Sequence, residues 1–165
     1  MEIRKINWYK FATFNGILLE AHEYSGLGWC YRTKDCSYAE SKGFFTIEDS
    51  DYYLLPIKDI AHTRGFYSYV GCKYKGYKCF VHSYGKNEKK FCVAIPEDLA
   101  LTMGIDGYRW GHETPSMDVH LSDLDEIYRH REKLGDFIFD VDPIKPIYKD
   151  GKWLIEPDEN GVYVI

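Results

Sequence analysis

The chain has no CxxC pair. Its five cysteines, Cys30, Cys36, Cys72, Cys79 and Cys92, stand singly, and any disulfide scheme leaves one over. It also lacks an apolar run of about twenty residues and a basic, apolar leader at its start, which removes the two usual sequence signs of a membrane or secretory route. A soluble protein of a reducing cytoplasm, with no membrane association, is the expectation. An excess of positive charge is missing too: 26 acidic residues against 21 basic ones leave a net charge of −5. Phosphate binding draws on clustered Lys and Arg, so no nucleic-acid partner is expected. The local exception, GKNEKKF at 85–91 with Lys73, Lys75 and Lys78 nearby, reads as a solvated hairpin. No linker, low-complexity tract or charge block divides the 165 residues, which read as one domain over 1–165, large enough to bury about two thirds of its unfolded surface.

Catalytic signatures are equally scarce. The chain contains no GxSxG, no HExxH, no phosphate-cradling GxxxxGK and no GxGxxG with a following acidic residue at the right distance. The best residual nucleophile is Cys30 with His22 as its base, since a thiolate needs an imidazole within reach to lower its pKa. Around RWGHETP, His112 and Glu113 collect with Asp118 and His120, but the spacing of the two histidines is too long for one helix or strand, with Thr, Pro and Ser between. Carboxylate pairs drawn from Glu48, Asp49, Asp51, Asp118 or Asp140 carry no specificity in so acidic a chain. No catalytic residue, metal site or cofactor is expected. The alternative to a binding protein is a small Cys/His-dependent hydrolase or nucleotide-processing enzyme.

What the chain does have is tyrosine, fifteen in all, a residue with an apolar body and a polar tip that suits strands and protein-facing surfaces. It also has an internal echo. FNGILLEAHEY at 14–24 recurs as YKGYKCFVHSY at 74–84, aligning Gly16 with Gly76, His22 with His82 and Tyr24 with Tyr84. The register continues through Ala39 and Gly43 against Ala100 and Gly104, and LPIKDI at 55–60 against VHLSDL at 119–124. A duplicated unit of hairpin, strand, helix and strand is expected over 11–64 and 72–131, followed by C-terminal strands over 132–165.

Asn15–Gly16 and Lys75–Gly76 each suit a tight turn with positive φ at both central residues, so each echo reads as a β-hairpin. Third strands follow at 29–33 and 90–95. A short helix comes next in each half, CSYAESKG ending at Gly43, and a second entered at Pro96 and stopped at Gly104. Fourth strands run through DYYLLPI and MDVHL. Ser122 and Asp125 resemble a capping box, and Leu124, Ile127, Tyr128 and Leu134 share a helical face, which predicts a helix over DLDEIYRHREKL. DFIFDV, WLI and VYVI complete the chain as strands. The fold class is α+β: strand-dominated antiparallel sheets with a few short helices.

Two loops occupy matching places after the helix-ending glycines, TIEDSDYY at 46–53 and IDGYRWGHETPSMD at 105–118. The first is acidic, and the second carries Tyr108, Arg109 and Trp110, residue types enriched at interface hot spots. Glu48, Asp49, Asp51, Trp110, Glu113 and Asp118 are therefore the expected partner-binding residues.

In the FNGILLEA and YKGYKCFV hairpins, the LSDLDEIYRHRE segment and the terminal FIFDVDPIKPIYKDGKW, the chain resembles the small bacterial immunity proteins of polymorphic toxin systems. The resemblance implies a cytoplasmic antidote that binds one cognate protein toxin domain and blocks its active site. Many such toxins are nucleases with basic grooves, which an acidic antidote complements.

Overall fold

The computed structural model describes residues 9–85, 87–105 and 114–156. Strands dominate. In chain order they are β1 (Tyr9–Phe14), β2 (Ile17–Tyr24), β3 (Gly28–Thr33), helix α1 (Cys36–Lys42), β4 (Phe45–Thr46), β5 (Tyr53–Pro56), β6 (Gly65–Tyr74), β7 (Tyr77–Gly85), β8 (Lys90–Ala94), helix α2 (Glu97–Thr102), β9 (Ser116–His120), β10 (Leu124–Lys133), β11 (Ile144–Lys149) and β12 (Lys152–Trp153). Single 3₁₀ turns, Ile60–His62 and Leu121–Asp123, precede β6 and β10. The α+β class and its antiparallel pairing are as the alternation of the sequence indicates.

The chain divides into two compact units, crossing from one to the other inside β6 and again inside β10. The first unit holds Tyr9–Ser68 and Arg131–Val141. Its hairpin β1–β2 closes on Asn15 and Gly16, whose φ values of 49° and 78° are the left-handed pair that a two-residue turn matching strand twist requires. From there β2 pairs β3, β3 pairs β5, β5 pairs the two-residue edge strand β4, and β1 pairs the start of β6, all antiparallel. Alternation sends Ala12, Ala21 and Tyr31 to one face, where Ala39 of α1, Phe44, Ile57, Leu134 and Phe137 close over them. Trp29 meets Phe137 edge-on at 5.2 Å in the same cluster. Asp35 caps α1 by accepting from the Tyr38 N–H at 2.9 Å, and Gly43 ends it at φ 75°.

The second unit holds Tyr69–His130 and the stretch from Asp142. Here β7 pairs β6 and β8, β9 pairs β8, and β10 lies between β6 and β11, with β12 on the far side of β11. Its core is aliphatic: Val70, Val81, Val93, Ile95, Leu99, Val119, Leu124, Ile127 and Ile147 are all buried, with Phe91 stacked on Tyr84 at 4.2 Å. Among the described residues the order from β1 to β6 is hairpin, strand, helix, two strands, 3₁₀ turn and long strand, and from β6 to β10 hairpin, strand, helix, one strand, 3₁₀ turn and long strand. Lys75 and Gly76 repeat the φ pair of the first hairpin at 51° and 79°.

Two expected elements are corrected. DLDEIYRHREKL is not a helix: Leu121–Asp123 makes the 3₁₀ turn and Leu124–Lys133 is strand β10. The β10–β11 register shifts between Ile127 and Tyr128. The extra residue lies on β11, where Ile147 is passed over as Ile127 pairs Tyr148 and Tyr128 pairs Pro146. Strand β10 itself runs without an insertion and buries residues of both its faces, so Leu124, Ile127, Tyr128 and Arg131 fall at i, i+3, i+4 and i+7, the spacing of a helical face. DFIFDV is not a strand beyond one isolated bridge, Ile138 with Arg64. Phe137 is drawn inward over Gly65, where a Cβ would stand 2.5 Å from its ring, and Arg64 forks onto Asp140, Nη2 donating to Oδ2 at 2.7 Å. These long-range contacts hold the segment in an irregular path.

Candidate protein interface

In the first unit, the sheet face opposite the Ala12–Ala21–Tyr31 cluster carries Glu20, His22 and Tyr24 from β2, Cys30 and Arg32 from β3, and Leu54 and Pro56 from β5, because these residues alternate with those of the cluster. Cys30 and Leu54 are fully covered, and Arg32 and Glu20 keep 20% and 10% of their side chains exposed. Arg32 organises it. Its Nε donates to Glu20 Oε2 at 3.0 Å, its guanidinium lies 4.4 Å over the Tyr52 ring, and Tyr24 shares a further side-chain hydrogen bond with it. Burial works against the Arg32 charge, but the Tyr24 bond and the Glu20 carboxylate outweigh it and raise its pKa. Lys34 continues the row, its Nζ 4.8 Å from the Tyr52 ring centre and 3.8 Å from Asp51 Oδ2.

Asp51 belongs to the tip of the β4–β5 hairpin. Glu48 and Asp49 sit at the outermost turn, exposed, with Asp49 at φ 61°. Ser50 fastens the tip, its N–H donating to the Ile47 carbonyl at 3.3 Å and its Oγ accepting from the Tyr52 N–H at 3.1 Å. The acidic tip therefore leads directly into the tyrosine under Arg32. Glu48, Asp49 and Asp51 were expected as partner-binding residues from the sequence; Arg32, Tyr52, Tyr24 and Glu20, which the structure gathers beside them, were not. The signal was present: in WCYRT the alternation that buries Tyr31 turns Arg32 outward.

The Cys30–His22 pair is brought together, the two being direct partners across β2 and β3. Their chemistry runs the wrong way for a nucleophile. Burial raises the Cys30 thiol, which donates to the Gly28 carbonyl at 3.7 Å, while burial and the nearby Arg32 and Lys10 charges lower His22. His22 stacks edge-on against Tyr24 at 4.8 Å. A neutral thiol beside a neutral imidazole is not a thiolate–imidazolium couple.

Asp118, the last residue of the second loop and part of the expected MDVHL strand, lies on β9 opposite Cys92, where Met117 and Val119 turn toward the core and Asp118 and His120 away from it. There it lines a shallow groove of about 230 Å³ in the second unit with Ser83, Tyr84, Gly85, Glu88, Lys90 and Cys92. Burial, reinforced by Asp118, raises the Cys92 thiol. Trp110 and Glu113, with Tyr108, Arg109 and His112, lie outside the described residues. Among the described residues no three His, Cys, Asp or Glu side chains gather as a metal site, and no helix is long and apolar enough to cross a membrane.

Comparison of the chain with protein-family models, with curated proteins and with solved structures returns no match in any of the three.

Proposed function

We propose that the chain is a cytoplasmic immunity protein that binds a cognate toxin domain and occludes its active site. The observation that carries this reading is the Tyr24–Arg32–Tyr52 array beside the acidic hairpin tip Glu48–Asp51. Tyr and Arg are the residue types that supply most binding energy at interfaces, and Arg32 is already held in one geometry by Glu20 and Tyr52, so ordering it on binding costs little. The acidic rim and the net charge of −5 steer a basic surface toward it, as a nuclease groove would present. Trp110, Glu113 and Asp118 remain proposed contributors from the second loop and its flank.

The test is affinity capture from the native cell with the wild-type chain and with a Tyr52→Ala, Arg32→Ala double variant, read by mass spectrometry. A single co-purifying protein with a toxin-like domain, lost from the variant, is the expected result. Capture of metabolic enzymes, or a toxin retained by the variant, overturns the reading or its placement.

The finer architecture is part of the same proposal: the two hairpin–strand–helix–strand segments descend from one duplicated unit. The matching turn pairs Asn15–Gly16 and Lys75–Gly76 support it, as do Gly43 and Gly104 at φ 75° and 71°. In an experimental structure, superposing 11–64 on 72–131 must bring Gly16 onto Gly76 and Gly43 onto Gly104. Their failure to coincide removes the duplication and leaves the strand content untouched.

A further inference from the structure

All five cysteines are free, but only two of them face each other. Cys72 on β6 and Cys79 on β7 are direct partners in the antiparallel register. Cys30 instead faces His22 and Pro56, Cys92 faces Ser83 and Asp118, and Cys36 on α1 donates to Glu40. Directly opposed residues of an antiparallel pair hold their Cα atoms about 4.5–5.5 Å apart, inside the span of about 4.4–6.8 Å that a disulfide bridges. Both side chains turn toward the core, 0% and 3% exposed, and the two thiols share a hydrogen bond.

We propose that Cys72 and Cys79 form an oxidant-responsive site that closes reversibly to a cross-strand disulfide within the β6–β7 hairpin. The placement of the pair supplies access as well as geometry. Only the pairs Tyr74–Tyr77 and Lys73–Lys78 separate it from the exposed Lys75–Gly76 turn, so a local opening that breaks the Gly76 N–H bond to Asp125 Oδ2 at 3.3 Å and lifts Tyr74 from the edge of the core uncovers both sulfurs. Besides the hydrogen bond that the two thiols share, the Cys79 S–H donates to the Tyr77 carbonyl at 3.7 Å. The shared bond raises Cys72 and lowers Cys79, and with the Tyr74 backbone it holds Cys79 below the usual thiol value. Cys79 is accordingly the attacking sulfur and Cys72 the resolving one.

With a small disulfide such as oxidised glutathione as the oxidant, the Cys79 thiolate attacks one sulfur and expels one glutathione thiolate, leaving a mixed disulfide. Cys72 then loses its proton and attacks the Cys79 sulfur, expelling the second glutathione thiolate. The two protons given up by the cysteines end on the two released thiols, and two electrons pass from the pair to the oxidant. Excess reduced glutathione reverses both steps. In a reducing compartment the site rests as dithiol, in keeping with transient rather than structural disulfides there.

The proposal is independent of the partner surface in the first unit. Its test is incubation of the folded full-length chain with oxidised glutathione, alkylation of the remaining thiols and peptide mass mapping, with circular dichroism following the fold. Expected are a loss of two hydrogens, a single Cys72–Cys79 cross-linked peptide pair, a raised thermal midpoint, and reversal of all three by reduced glutathione. Cys72→Ala should trap one glutathione on Cys79, whereas Cys79→Ala should leave Cys72 unmodified. If the wild-type chain shows adducts only at exposed Cys36, or closes the Cys72–Cys79 link only after unfolding in urea, the pair is ordinary core packing and the proposal fails; the wild-type mapping decides this even where a variant folds poorly.

Discussion

The two units build hairpins on the same left-handed turn pair but fill their cores differently. The first buries alanines, Ala12, Ala21 and Ala39, under large rings from Trp29, Phe44 and Phe137, whereas Val, Ile and Leu make up nine of the sixteen buried core residues of the second. A small residue beneath an aromatic leaves no room for an added methyl group. An aliphatic core fails instead when volume is removed. The opposite faces differ as well: a charge-and-tyrosine array in the first unit, and an Asp118–Cys92 groove in the second. One architecture thus carries two packing solutions and two kinds of surface.

The largest expected effect tests the aliphatic core. Ile127 is fully buried on β10, and Ile127→Ala should cost about 2–5 kcal/mol in urea unfolding, since β10 is held by pairing with β6 on one side and β11 on the other and collapses poorly onto a cavity. The complementary test overfills the other core: Ala12→Val should cost about 1–3 kcal/mol, where the same added volume on the solvent side of that sheet is tolerated. Equal penalties for adding and removing volume in both units would erase the contrast.

The surface contrast is read in binding. Truncating Tyr52 or Arg32 to Ala should lower partner affinity by about 2 kcal/mol or more by calorimetry, while charge reversal at Asp49 should mainly slow association and flatten its salt dependence. Loss of folding in place of affinity would make the array a structural clamp.

Alkaline pH probes the buried phenol of the second unit. Burial pushes the Tyr128 phenol from its usual 10.0 to about 12, so the fold favours the neutral form. The resulting stabilisation is fully present below pH 10 and is lost as pH rises from 10 toward about 12, amounting to on the order of 2 kcal/mol. Tyr128→Phe should flatten the unfolding free energy across that window.

The smallest effect lies at the turns. Lys75 holds φ 51° without the side-chain help that an Asn provides at Asn15, so Lys75→Asn should stabilise the second hairpin by about 0.5 kcal/mol.

Hairpins, third strands and both short helices were legible because alternation, Asn-Gly or Lys-Gly pairs, and helix-stopping glycines act locally. Strand β10 was not, because residues of both its faces are buried and fall at a helical spacing, which only pairing with its neighbours resolves. Of the proposed interface, the acidic tip could be read as a run of charges. The array beneath it could not, since Arg32, Tyr52 and Glu20 come from three segments that meet only when β2, β3 and β5 pair.

The sequence by itself determined the strand-rich class, the turn positions, the acidic charge and the inward or outward facing of most strand residues, all of which follow from a period of two and from backbone preferences within a few residues. The tertiary structure decided which residues meet. Cys72 opposite Cys79, Arg32 over Tyr52 and Tyr128 against Gly71 depend on strand register, and register is set by the summed burial of whole faces, a quantity no short window of residues contains.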